Sequence, residues 1–298
     1  MYEIRVLRAL PMELLVDFFL IFFMLSLSLF VFGLIFGSFA NALVWRLKTN
    51  QTLSGRSMCP ECRAMIHWYD NIPVVSFMWL RARCRSCHQP ISWQYPTVEL
   101  AMAFGFVLMG QSAFFVYGVD AWVAIAFWCA LWFVLLVITV FDWLYYEIPM
   151  VMIWIGLALA VSYQAWRDWA DRQLFGSAGL WTVWDSRLLW GLIAGVGAFL
   201  VFTALSKGTR EYWMGWGDAW IVLLLGVVAG WPAILWVITL GSGIGSIFGL
   251  GMLALHRGTL KTQVPFAPLL IAGFWILIGM QIFGHQAWLA LMGVGGIL

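Results

Sequence analysis

Long apolar stretches constrain this chain more than any other feature. Eight recur, at roughly 14–37, 97–119, 121–142, 148–166, 187–206, 216–230, 232–256 and 264–284, with only Gly230, Trp231 and Pro232 marking a turn between the sixth and seventh. Most approach the ~20 residues that a helix needs to cross about 30 Å of hydrocarbon. Charged residues make up 10% of the chain, against about 25% in soluble domains, so a soluble globular fold is excluded. Strand alternation is absent, which argues against a transmembrane β-barrel. The expected fold is an all-α polytopic membrane protein with about eight transmembrane helices.

The first apolar run follows Arg5 and Arg8, and Ala40-Asn41-Ala42 has the small-residue spacing of a cleavage site. The run of about 23 residues nevertheless exceeds the 7–15 of a signal-peptide core, so it reads as a retained helix. One long polar segment follows, from about Trp45 to Pro96, carrying Arg46, Lys48, Arg56, Arg63, Arg81, Arg83 and Arg85. With eight helices, that segment shares a side with Lys207, Arg210, Arg257 and Lys261, while Arg5, Arg8, Arg167, Arg172 and Arg187 fall on the other. The excess of basic residues makes the first side cytoplasmic.

Four of the five cysteines stand in this polar segment as "CPEC" (Cys59, Cys62) and "CRSC" (Cys84, Cys87). Two such knuckles place four thiolates around a tetrahedral Zn²⁺, although the central spacer of 21 residues is one longer than the usual range. Disulfides or free thiols are the alternative, and a reducing cytoplasm disfavours disulfides. His67 and His88 are substitute ligands in principle, but four thiolates already close the shell. A loop of about 50 polar residues buries little core, so the metal's expected role is structural. Lone Cys129, inside an apolar run, reads as packing.

Two aspartates stand out. Asp142 closes one apolar run and Asp218 opens another, both at the cytoplasmic side of the expected topology. Carboxylates in a membrane are expensive, and function is their default explanation. The plainer reading of Asp218 is a carboxylate favoured by a helix N-terminus; Asp142 lies toward a helix C-terminus, where no such benefit exists. Asp17 and Glu99 suit interfacial anchoring. Two carboxyls in a poorly solvated site share a proton, so that one activates water while the other polarises a carbonyl. Helix polarity favours Asp218 as the ionised member and Asp142 as the protonated one. Gly215 and Gly217, before Asp218, would let a substrate backbone approach closely.

In combination, these stretches resemble the bacterial type IV prepilin peptidases, which also process type II secretion pseudopilins. The resemblance rests on "GSFANALVWRL" (Gly37–Leu47), "CPEC", "YDNIPVVSF" (Tyr69–Phe77), "CRSC", "ISWQYPTVEL" (Ile91–Leu100), the spacing from Asp142 to Pro149, "MGWGD" (Met214–Asp218) and "VPFAPLLIAG" (Val264–Gly273), in that order. The resemblance implies a first transmembrane helix over 1–44, a cytoplasmic zinc-binding domain over 45–97 and a membrane-embedded aspartic peptidase domain over 98–298. It implies that Asp142 and Asp218 cleave the basic leader of a prepilin or pseudopilin. It further implies that the new N-terminal residue is methylated by S-adenosylmethionine, through residues that no nucleotide-binding motif here identifies. The expected setting is the bacterial inner membrane, with lipid and the pilin as partners and no nucleic acid. This sequence departs from the family in having Met150 where Asp usually follows Ile-Pro, and Trp220 where Lys usually stands two residues after Gly-Asp.

A membrane transporter or receptor with a zinc-ribbon module is the competing class, its acids carrying protons or cations. Against it, the acids stand at helix ends rather than mid-membrane, and no inverted repeat is evident.

Overall fold

The computed structural model describes residues 12–52, 55–117, 121–175, 182–209, 215–256 and 264–283. All eight apolar stretches are helical: α1 (Met12–Thr49), α3 (Gln94–Tyr117), α4 (Trp122–Tyr145), α5 (Met150–Phe175), α6 (Arg187–Gly208), α7 (Trp216–Ala229), α8 (Ala233–Ala254) and α9 (Ala267–Phe283). A short α2 (Val75–Trp79) lies in the polar segment. Six of these helices are long and apolar enough to cross a membrane; α7 and α9 are shorter apolar helices. Among the described residues no strand forms, only two isolated bridges, so the all-α membrane fold holds. Arg5, Arg8, Arg210, Arg257 and Lys261, which enter the charge count, lie outside the described residues.

Helix α1 is longer than its apolar run. It extends through Arg46 and Lys48 because no Gly or Pro interrupts residues 38–49, and it stops at Asn50, whose φ of 52° is the left-handed conformation common after a helix end.

The chain divides into two compact units, Met1–Phe133 and Val134–Leu298. In the first, α1 packs on α3 through the pair Gly33 and Gly37: a Cβ at either would collide with the backbone of Ala103 or Glu99. Small residues four apart let two helix backbones approach, which is how helices gain contact in lipid, where apolar side chains find no hydrophobic drive. Gln111 adds polar ties, its amide donating to Ser26 Oγ at 2.6 Å and to the Phe22 carbonyl at 3.0 Å.

In the second unit α7 is central and is buried on most of its length, from Asp218 to Val228. It packs on α6 through a second glycine pair, Gly191 and Gly195, whose missing side chains make room for Val227 and Gly226. Gln164 on α5 donates to the carbonyls of Val227 and Val228, satisfying the last turn of α7 where water is scarce. The start of α6 is held by buried Asp168, which accepts from Ser186 Oγ and from the backbone N–H groups of Arg187 and Leu188.

Candidate functional site

The first candidate site is built by two turns of the same design. In one, the Cys59 N–H donates to the Ala64 carbonyl and the Arg63 N–H to the Cys59 carbonyl; in the other, the Cys84 N–H donates to the Gln89 carbonyl and the His88 N–H to the Cys84 carbonyl. Each turn closes through a left-handed residue, Arg63 (φ 57°) and His88 (φ 57°). This folds each Cys-x-x-Cys so that both sulfurs point inward, and one ligating atom from each of Cys59, Cys62, Cys84 and Cys87 lies within 4.8 Å of the others. The Cys59 and Cys87 sulfurs are 3.9 Å apart, close to the ~3.8 Å edge of a tetrahedron with Zn–S bonds of about 2.3 Å. None of the cysteines is in a disulfide.

Thiols so close do not all ionise by themselves. Backbone N–H groups of Cys87 and Ser86 donate to Cys84 and lower its pKa to about 7. The Gln89 N–H acts in the same sense on Cys87, but desolvation and the neighbouring sulfurs prevail and push that thiol up to about 12. A divalent cation resolves this conflict, so the donor set fits a metal such as zinc. His67 and His88 are not part of the group: His67 stacks on Tyr69 at 5.1 Å, and His88 closes its turn.

Two further contacts fix the loop, and sequence reading missed both. Arg85 grips Asp70 with two hydrogen bonds, of 2.7 and 2.5 Å, and lies over the Tyr69 ring; its guanidinium holds the Asp70 carboxyl below the ordinary carboxylate value. Glu99, expected as an interfacial anchor, is instead buried and accepts the Val74 N–H at 2.7 Å. Val74 is β-branched and sits at φ 60°, a conformation such residues rarely adopt, so Glu99 holds a strained turn in place. The only sequence signal was a carboxylate opening an apolar helix.

The second candidate site lies in the second unit. Helix α4 ends at Tyr145, and Tyr146 (φ 55°) turns the chain away, so Asp142 falls in the last turn. Asp218 is the third residue of α7, after the N-cap Gly215, and exchanges hydrogen bonds with it: the Gly215 N–H donates to the carboxyl, and the Asp218 N–H to the Gly215 carbonyl at 3.2 Å. Both aspartates are buried, at 6% and 9% exposure, and the structure brings them close enough for the charge of Asp142 to act on Asp218.

Two sequence expectations change here. The Ala267 N–H, at the first residue of α9, donates to Asp142, so this carboxyl also meets the free N–H groups of a helix start. Each aspartate thus has a helix N-terminus beside it, and helix polarity no longer selects which one holds a shared proton. Oδ2 of Asp142 is buried with no hydrogen-bond partner among the described residues. The second change concerns Gly217, whose missing side chain makes room for Ile148: a Cβ there would lie 2.7 Å from Ile148 Cδ1. That glycine seats the Ile-Pro turn rather than a substrate. Trp220, where the family usually has Lys, packs among Trp154, Phe199 and Trp216 at 4.9–5.9 Å, as part of an aromatic cluster. Met150 begins α5. Met214, the first residue of "MGWGD", lies outside the described residues.

Comparison with known proteins matches both parts of the chain. The family model of the bacterial peptidase A24 N-terminal domain matches residues 31–112, and that of the type IV leader peptidase family matches residues 128–250. The prepilin leader peptidase/N-methyltransferase of Klebsiella pneumoniae is 34% identical over 203 residues, spanning 63% of this chain and 84% of the relative. Its namesake in Aeromonas salmonicida is 28% identical over 282 residues, spanning 84% of this chain and 88% of the relative. That of Myxococcus xanthus is 33% identical over 234 residues, spanning 76% and 63%. No solved structure is a significant match.

Proposed function

Because this chain belongs to the type IV leader peptidase family, we propose that it cleaves the basic leader from type IV prepilins or pseudopilins, using Asp142 and Asp218 as its catalytic pair. The observation that carries this reading is the pair itself. Two buried carboxyls from different helices lie near enough for one charge to act on the other, each has a helix-start N–H beside it, and among the described residues Asp142 Oδ2 has no hydrogen-bond partner. Such a pair shares a proton. The ionised member takes a proton from water, the oxygen attacks the scissile carbonyl, and the protonated member donates to that carbonyl oxygen. The transporter alternative needs the acids along a path through the bilayer, whereas these stand at helix ends.

In this reading the protein lies in the bacterial inner membrane, with the aspartates and the cysteine loop facing the cytoplasm. The pilin's apolar helix stays in lipid while its basic leader stays in water. Cys59, Cys62, Cys84 and Cys87 hold one structural Zn²⁺, which fixes the fold of the loop. The new N-terminal amine is then methylated by S-adenosylmethionine, as the names of the relatives imply. Incubating the purified protein with a prepilin and the methyl donor, then weighing the product, tests both steps. Loss of the leader mass supports the peptidase, and a further gain of one methyl group supports the transferase. An intact prepilin would overturn the proposal.

A further inference from the structure

The short helix α2 is pinned beside the start of a much longer one. Trp93, the residue before α3, packs edge-on against Phe77 of α2, with ring centroids 4.9 Å apart. Glu99, in the second turn of α3, accepts the N–H of Val74, the N-cap of α2, at 2.7 Å. Helix α3 is long and apolar enough to cross a membrane. Its first turns then mark the headgroup zone at the edge of the hydrocarbon, and α2 lies level with them.

Helix α2 has two unlike faces. Phe77 is 8% exposed, whereas Val75, Met78 and Trp79, at i, i+3 and i+4, share a face and are 57%, 72% and 81% exposed. Tyr69 and Ile72 extend that surface, since with Val75, Trp79 and Arg85 they line a cavity of about 260 Å³. A contiguous exposed patch of large apolar side chains marks an interaction face. Arg81, Arg83 and Arg85 follow α2 in the chain and are exposed. Asp70 engages Arg85, which leaves Arg81 and Arg83 as the nearest cations to the apolar stripe in sequence. Residues 45–96 carry seven basic residues against two acids, Glu61 and Asp70, a net charge of +5 that four thiolates around one Zn²⁺ reduce to +3.

We propose that α2 is an interfacial anchor, its apolar stripe set into the cytoplasmic leaflet and Arg81 and Arg83 on the phosphates of anionic lipid headgroups. An amphipathic helix at this level buries its apolar face at the boundary of headgroups and acyl chains, and Trp is favoured at that depth. Guanidinium groups pair with phosphate through two parallel hydrogen bonds. Charge selects lipid over the other occupants: a basic pilin leader and a second copy of this loop are both positive and are repelled, whereas the leaflet is negative. The anchor rests on α1 and α3 crossing the membrane with the loop on the cytoplasmic side, as proposed above, and not on the peptidase chemistry. It holds the cysteine loop against the bilayer.

The test uses the full-length protein in lipid nanodiscs. A nitroxide replaces the Met78 side chain through a genetically encoded keto amino acid, which leaves the native cysteines untouched. Electron paramagnetic resonance compares its accessibility to oxygen, which partitions into lipid, with that to an aqueous nickel chelate. A second label in place of Phe104, 62% exposed within α3, reports whether that helix crosses. In equal parts phosphatidylcholine and phosphatidylglycerol, the oxygen-to-nickel ratio of the Met78 label is expected to be several-fold above its value in phosphatidylcholine alone. Arg81→Gln combined with Arg83→Gln is expected to abolish that difference. A Met78 label open to nickel in the anionic lipid, while the Phe104 label is shielded, would overturn the anchor and leave the membrane topology standing. A Phe104 label open to nickel would overturn both. Equal ratios in the two lipids would overturn the assignment to anionic headgroups. Shielding that arises only when a prepilin is added would give this face to the substrate and overturn the lipid proposal. Leader cleavage by the same samples reads the peptidase proposal separately.

Discussion

At the residue scale, Glu99 holds a constrained turn of the polar loop. Its carboxyl satisfies the Val74 N–H in a backbone conformation that a β-branched residue resists. Glu99→Ala leaves that donor without its acceptor at a cost of about 1–3 kcal/mol, whereas Glu99→Gln keeps an oxygen in place. The expected result is faster hydrogen exchange at the Val74 amide in Glu99→Ala and near-wild-type exchange in Glu99→Gln. Equal exchange in all three proteins would remove Glu99 from this role. Asp142 and Asp218 were legible as single residues, because each carboxylate interrupts the edge of an apolar run. Their surroundings were not. The Ala267 N–H reaches Asp142 across more than a hundred residues of sequence, and Ile148 fills the space beside Gly217. Contacts between distant segments leave no mark in local spacing, so the helix-polarity argument began from an incomplete set of dipoles.

At the scale of elements, helix existence was legible because hydrophobic length alone dictates it, and all eight apolar runs are helical. Helix ends were less so: α1 continues to Thr49 because a polar sequence free of Gly and Pro can still be helical outside an apolar run. The glycine pairs Gly33/Gly37 and Gly191/Gly195 were present as spacing, but spacing does not say which helix approaches. Now that the partners are known, Gly33→Ala and Gly195→Ala should each destabilise their unit by roughly 1–3 kcal/mol through overpacking against backbone. Thermal unfolding in detergent reads this as a lowered midpoint, and Gly197→Ala, where a Cβ would meet nothing within 4 Å, serves as the neutral control. Unchanged midpoints in the first two would contradict the close approach. The cysteine loop was the most legible element, since Cys-x-x-Cys carries its geometry within four residues. It is expected to hold one zinc per chain, lost on Cys59→Ser or Cys84→Ser. Protons compete with metal for thiolates, so retention should be complete at neutral pH and should be lost in acid. Elemental analysis against pH checks this, and protein purified without chelators that contains no zinc would sink the metal assignment.

At the scale of the whole molecule, the family match extends over both parts of the chain, and the curated relatives carry a two-activity name. In the proposed function, proteolysis rests on the aspartate pair of the second unit. The most direct test of the central claim is leader cleavage by Asp142→Asn and Asp218→Asn, purified in lipid and incubated with a full-length prepilin, with the product mass followed in time. Water attack needs both an acid and a base, so each substitution is predicted to slow cleavage by at least about 100-fold, with thermal unfolding and binding of S-adenosylhomocysteine unchanged. Wild-type cleavage by either variant would contradict the aspartate pair as the peptidase centre.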